Sequence, residues 1–123
     1  MKMVDCIYVC HYTRLTDRKK HLTRLLDNLG DLPQVVWIEE HDKENITTDI
    51  IDKFPNINKK LKLGDFTKND FHENRTLRMS EISLLLKHRH AWSHAMSNKF
   101  ENILVIEDDV LFVNDFISKF DNQ

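Results

Sequence analysis

Asn102-Ile-Leu-Val-Ile-Glu-Asp-Asp-Val-Leu-Phe112 is the stretch on which the fold turns. Four apolar residues, Ile103 to Ile106, run unbroken into three adjacent carboxylates, Glu107, Asp108 and Asp109. A short continuous run rich in β-branched residues is the pattern of a strand buried on both faces, as in a parallel sheet. Unpaired carboxylates cannot share that burial, because desolvating each costs roughly several kcal/mol. The acids therefore belong at the strand's carboxyl end, where open α/β sheets bind ligands. Clustered acids repel, and a divalent cation is the simplest group to hold them.

Upstream, the chain reads as alternating strands and helices. Val4 to Cys10 is a strand candidate, followed by the polar segment His11 to Leu15. Thr16 is placed to cap a helix, with Asp17 in its first turn where an anion suits the dipole. Leu22, Leu25, Leu26 and Leu29 keep helical spacing and Gly30 marks the stop. Val35 to Ile38 is a second strand, ending in Glu39, Glu40, His41 and Asp42. An acid just past the second strand often meets a ribose hydroxyl in nucleotide-binding α/β folds, and a solvated loop is the alternative.

Thr47 to Phe54 predicts a short helix stopped by Pro55, and Asn56 to Asp70 a lysine-rich irregular segment anchored by Leu61, Leu63 and Phe66. Ser80 is expected to cap the longest helix, with Glu81 in its first turn. Its apolar set is Ile82, Leu85, Leu86, Trp92, Ala95 and Met96, and it runs to about Asn98. After the acid-tipped strand, Asn114 is expected to cap a last short helix holding Phe116, Ile117 and Phe120.

With 123 residues the chain is one domain at most, able to bury about two-thirds of its unfolded surface. Charged residues at 31% and hydrophobic ones at 41% exclude a disordered composition. A net charge of -2 gives no global field for nucleic acid or anionic membrane. No apolar run approaches the ~20 residues that span a bilayer, and the start lacks a signal-peptide core. Cys6 and Cys10 lie four apart in one strand, too far for a bridge, which points to reduced thiols and a cytoplasmic setting. The glycosylation patterns at Asn45 and Asn74 are coincidental on that reading.

Three groups of residues carry candidate chemistry. At a strand end Glu107 and Asp109 point to one side and Asp108 to the other, so that the first two can share one Mg²⁺ or Mn²⁺. The alternative is an acidic turn or a cap for the next helix. Arg14, Arg18, Lys19 and Lys20 gather at the front of the first helix, a natural phosphate seat or else a solvated face. His90 and His94 have the i, i+4 spacing of a zinc helix, but Ala91 stands where that motif has its Glu. His88 and Trp92 form a separate i, i+4 pair suited to packing.

Taken together, three blocks resemble glycosyltransferase family 25. Ile7-Tyr8-Val9 with Arg14 to Lys19 is similar to the family's opening. Leu77 to Ser83, with His88 and Trp92 downstream, resembles its "GEIGC..SH...W" segment, and Ile106 to Val110 its "LEDD" motif. The order and spacing of these blocks cover nearly the whole chain. The resemblance implies a GT-A-like, Rossmann-like α/β fold with a mostly parallel sheet flanked by helices. It also implies a UDP-sugar donor, a divalent cation (Mn²⁺ or Mg²⁺) on the diphosphate, and a glycan or protein acceptor. Carried over by position, Arg14, Asp17, Arg18, Glu81, His88 and Asp108 fall beside the donor, and Glu107 and Asp109 on the metal.

The departures are Cys10-His11-Tyr12 where the family has an Asn-Leu pair, Ser80 and Ser83 for two glycines, and Lys87 for a serine before His88. The expectation is a single nucleotide-sugar-binding domain over residues 1–123, the N-terminal half of the fold and truncated on its C-terminal side. A non-catalytic nucleotide-sugar, metal-binding or protein-interaction module is the competing reading, with an exposed sheet edge open to a second copy or a partner chain. A phosphoacceptor role for Asp108 and Asp109 is disfavoured, since receiver-type acids follow the first strand.

Overall fold

A parallel sheet of three strands lies at the centre of the computed structural model, which describes residues 1–53 and 77–123. The chain runs through β1 (Cys6–Cys10), α1 (Thr16–Asp27), β2 (Gln34–Ile38), a 3-10 turn (Lys43–Asn45), α2 (Thr48–Asp52), α3 (Met79–Ser97), β3 (Ile103–Glu107) and α4 (Phe116–Asp121). The strand order is β2-β1-β3, with Cys10 in register with Ile38 on one side and Glu107 on the other. All three carboxyl ends therefore meet along one edge. This is an α/β fold of Rossmann-like type, as the alternating pattern predicts.

The chain divides into two compact units, Met1–Glu40 with Lys87–Gln123, and His41–Leu86. In the first, the period-2 alternation of strand side chains separates two cores. Cys6, Tyr8, Val36, Ile38, Ile103 and Val105 pack with Ala91, Ala95 and Phe100 on one face. Ile7, Val9, Val35, Trp37, Leu104 and Ile106 pack with Leu22 and Leu26 of α1 on the other. Burial of each Leu or Ile in these layers contributes about 1.5–3 kcal/mol.

β1, not β3, is the strand buried on both faces. Every residue of β1 is buried, whereas Ile103 to Ile106 are half-buried and Glu107 is exposed. The reason is position: β1 has a strand on each side, and β3 has one neighbour among the described residues. Apolar run length reports the absence of a polar face and says nothing of lateral neighbours. Asp5 fixes the entry to both strands, its Oδ2 accepting the N–H of Glu101 at 2.7 Å and of Asn102 at 2.9 Å.

The helix ends correct several expectations. Thr16 is the first helical residue and Leu15 the cap, with no side-chain capping bond. Gly30 does take positive φ, at 94°, just past the helix, a conformation open to glycine at little cost. Ser80 lies inside α3, and Asp115, left-handed at φ 58°, precedes α4 instead of Asn114. α3 closes with Phe100 N–H on Ala95 O at 3.0 Å and Lys99 N–H on Met96 O at 3.1 Å, Lys99 being left-handed. That pair of bonds is a Schellman motif, and the Phe100–Ala95 contact beneath it is its usual apolar partner.

Of the apolar set expected on α3, Ile82, Leu86 and Ala95 are buried while Leu85, Trp92 and Met96 are exposed. Ala91, left out of that set, is fully buried. In the second unit, Ile82 and Leu86 pack with Ile46 and Ile51, and α2 appears where Thr47 to Phe54 predicts a helix. The expectations for Phe54, Pro55, the segment Asn56 to Asp70 and Asn74 lie outside the described residues.

Candidate functional site

The acids stand at the carboxyl end of β3, as the run of apolar residues before them requires. Their side chains divide: Glu107 and Asp109 are exposed and Asp108 is only 8% exposed. Burial of a carboxylate needs donors, and Asp108 has three. Oδ2 accepts Nδ1–H of His11 at 2.8 Å and the main-chain N–H of Tyr12 at 3.3 Å. Oδ1 accepts Nη1–H of Arg18 at 3.2 Å. The positive charge that the acid cluster calls for thus comes in part from the chain itself.

The loop from β1 to α1 delivers two of these donors. His11 follows Cys10 directly, and its N–H continues the sheet by donating to Ile38 O at 3.1 Å. A turn closed by Leu15 N–H on Tyr12 O at 2.9 Å then leads into α1. His11 is 1% exposed and lies edge-on to the Trp37 ring, 5.5 Å between centroids. Trp37 also receives Lys19, whose Nζ lies 5.0 Å from its ring centroid and pairs with the Glu39 carboxylate. Of the acids just past β2, Glu39 is engaged by that lysine.

Cys10 lies beneath the same edge. Burial pushes its thiol up to about 11, helped by the nearby Glu107 and Asp108 carboxylates and opposed by the Lys87 ammonium. The buried Lys87 donates from Nζ to the main-chain oxygen of Glu40 at 2.6 Å. Both cysteines are free thiols.

The expected site residues therefore fall into three groups. Arg18 and Asp108 are brought together, with Glu107 and Asp109 beside Asp108 in sequence. Arg14 and Asp17 are exposed at the front of α1, and His88 is half-buried, edge-on to Trp92 at 6.0 Å. Glu81 belongs to the second unit, where its Oε2 accepts the N–H of Arg78 at 2.8 Å at the start of α3. His94 packs on the sheet, its Nδ1 2.7 Å from the Tyr8 hydroxyl.

The sequence assigns no role at the site to His11, Trp37 or Lys87, His11 and Lys87 standing out only as departures from the family pattern. The signal for His11 was its place immediately after the central strand, on the edge where the acids emerge. For Lys87 it was a charge at i+4 from Ser83 and i−4 from Ala91, all three on one buried stripe.

Among the described residues, no group of three or more His, Cys, Asp and Glu side chains is arranged to hold a metal ion.

A parallel α/β sheet flanked by helices is of the Rossmann-like class, in which the carboxyl edge of the sheet is the usual place for a ligand. The chain belongs to glycosyltransferase family 25 (LPS biosynthesis protein), whose family model matches residues 4–123. Its chemistry is accordingly glycosyl transfer, from a glycosyl donor to an acceptor. Comparison with curated proteins and with solved structures finds no match. No helix among the described residues is long and apolar enough to cross a membrane.

Proposed function

We propose that the carboxyl edge of the sheet binds a UDP-sugar donor in a GT-A-like arrangement, for transfer of a hexose to a glycan or protein acceptor. The observation that carries this reading is Arg18, half-exposed and held by buried Asp108, whose neighbours in sequence, Glu107 and Asp109, are exposed carboxylates. A donor diphosphate needs positive charge where the leaving group develops its negative charge. Arg18 and Arg14 supply it from the first turn of α1 and the loop before it, with Asp17 and His88 at the margin. Glu107 and Asp109 would hold Mn²⁺ or Mg²⁺, which when bound neutralises phosphate oxygens. Asp108 has its acceptors engaged by the chain, and Glu81 has one carboxylate oxygen on Arg78.

Thermal unfolding with UDP and Mn²⁺ tests the reading, since a ligand of the folded state raises Tm by mass action. UDP with Mn²⁺ is expected to raise Tm, and Asp109→Ala to remove the metal-dependent part of the rise. No shift at millimolar UDP with metal would overturn the donor site. An unchanged shift in Asp109→Ala would move the cation elsewhere.

A further inference from the structure

We infer that Asp108 is a positioning residue: held by His11, it orients the Arg18 guanidinium toward the donor phosphates without touching the donor itself. The inference rests on the donor-site reading above.

The geometry makes Asp108 unsuited to being a ligand. Its two oxygens carry three donors from the chain, and a carboxylate has about four acceptor positions in all. It is buried, while its neighbours on both sides are exposed. An ionised carboxylate only accepts, so His11 must donate from Nδ1, which fixes the orientation of the imidazole. The imidazole also packs in a T-shaped contact with the Trp37 ring, 5.5 Å between centroids.

Arg18 gains most from this arrangement. It rises from the first turn of α1 with half of its side chain exposed. An arginine there without an anchor samples many rotamers, and ordering them opposes anion binding. Asp108 holds one Nη on the inner side, and the guanidinium keeps further N–H donors in its planar fork. The anchor thus prepares the group before phosphate arrives. β3 ends at Glu107, and in the turn that follows Asp108 is buried while Asp109, like Glu107, is exposed.

Calorimetric UDP titrations of the whole chain, with and without Mn²⁺, test the assignment. His11→Ala and Asp108→Asn are expected to weaken UDP about threefold to tenfold, equally with and without metal, as loss of one pre-ordered side chain predicts. In the Arg18→Ala background, His11→Ala should weaken UDP no further, since its effect passes through Arg18. His11→Asn, whose amide replaces Nδ1, should stay close to wild type, whereas His11→Gln should behave like His11→Ala. Urea unfolding of each variant separates loss of fold from loss of affinity, and His11→Asn and His11→Gln keep the test intact if Asp108→Asn does not fold.

Loss of the Mn²⁺ response in folded Asp108→Asn, to the extent seen in Asp109→Ala, would make Asp108 a metal ligand and overturn the inference. Additive effects of His11→Ala and Arg18→Ala would reduce the pair to a structural tie. Failure of the wild-type chain to bind UDP is a different outcome, and removes the donor-site reading itself.

Discussion

Lys87, 3% exposed, donates from Nζ to the main-chain carbonyl of Glu40 at 2.6 Å, where the chain leaves β2. A buried cation without acceptors is costly, so this bond ties α3 to the end of β2. The same charge draws the Cys10 thiol down against burial and against Glu107 and Asp108. Lys87→Met keeps the length and removes both effects. It should lower stability by about 1–3 kcal/mol, the usual cost of stranding a buried polar partner. It should also raise the Cys10 pKa further, measured by thiolate absorbance against pH. An unchanged thiol titration would show that Lys87 acts only through its hydrogen bond.

Two buried acids set the alkaline limit of stability. Burial raises Tyr8 from 10.0 to about 12, with Cys6 adding to the shift, and raises Cys10 from 9.0 to about 11. Both groups hold their protons more tightly folded than unfolded. Their contribution is complete below the unfolded values and is lost as pH rises toward the folded ones. Urea midpoints should therefore be flat up to about pH 9, then fall through pH 9–11 with Cys10 and 10–12 with Tyr8. Cys10→Ala should remove the earlier part of the fall. A midpoint that rises over that interval would contradict the burial of both groups.

The fold was legible because its signals are local. Strand runs, the leucine spacing of α1 and the apolar face of α3 all repeat within a few residues. The identity of the central strand was not legible, since β1 and β3 carry similar runs and only lateral pairing makes one of them buried. The exposed Trp92 and Met96 share the helical period of buried Ala95, which composition alone cannot separate. In the site, the acid motif and Arg18 could be named from type and place. The inward turn of Asp108 could not, because it depends on a histidine 97 residues away in the chain.

Lys99 offers a test of the Schellman closure between α3 and β3. A non-glycine residue in the left-handed region carries a strain of about 1–2 kcal/mol, which its two flanking bonds offset here. Lys99 is exposed, so its replacement disturbs no packing. Lys99→Gly should stabilise the chain by about 0.5–1 kcal/mol, after the larger unfolded-state entropy of glycine is taken into account. Lys99→Ala should give no such gain. Equal urea midpoints for the two variants would mean that the left-handed residue is not populated in solution.

Glu81 stands third in α3 and reaches back to the main-chain N–H of Arg78 at 2.8 Å, while Ile82 N–H closes the first helical bond on Arg78 O at 2.9 Å. This is the acidic half of a capping box, and the carboxylate also suits the positive end of the helix. Gln in the same place keeps the acceptor and loses the charge, and Ala loses both. Glu81→Ala should cost about 0.5–2 kcal/mol, the range for loss of a helix cap. Glu81→Gln should recover most of that loss, leaving only the few tenths of a kcal/mol that roughly belong to the dipole. Two-state urea unfolding reads both. If Glu81→Gln proves as costly as Glu81→Ala, the charge and not the bond to Arg78 holds the start of the helix, and the dependence should then fade with added salt.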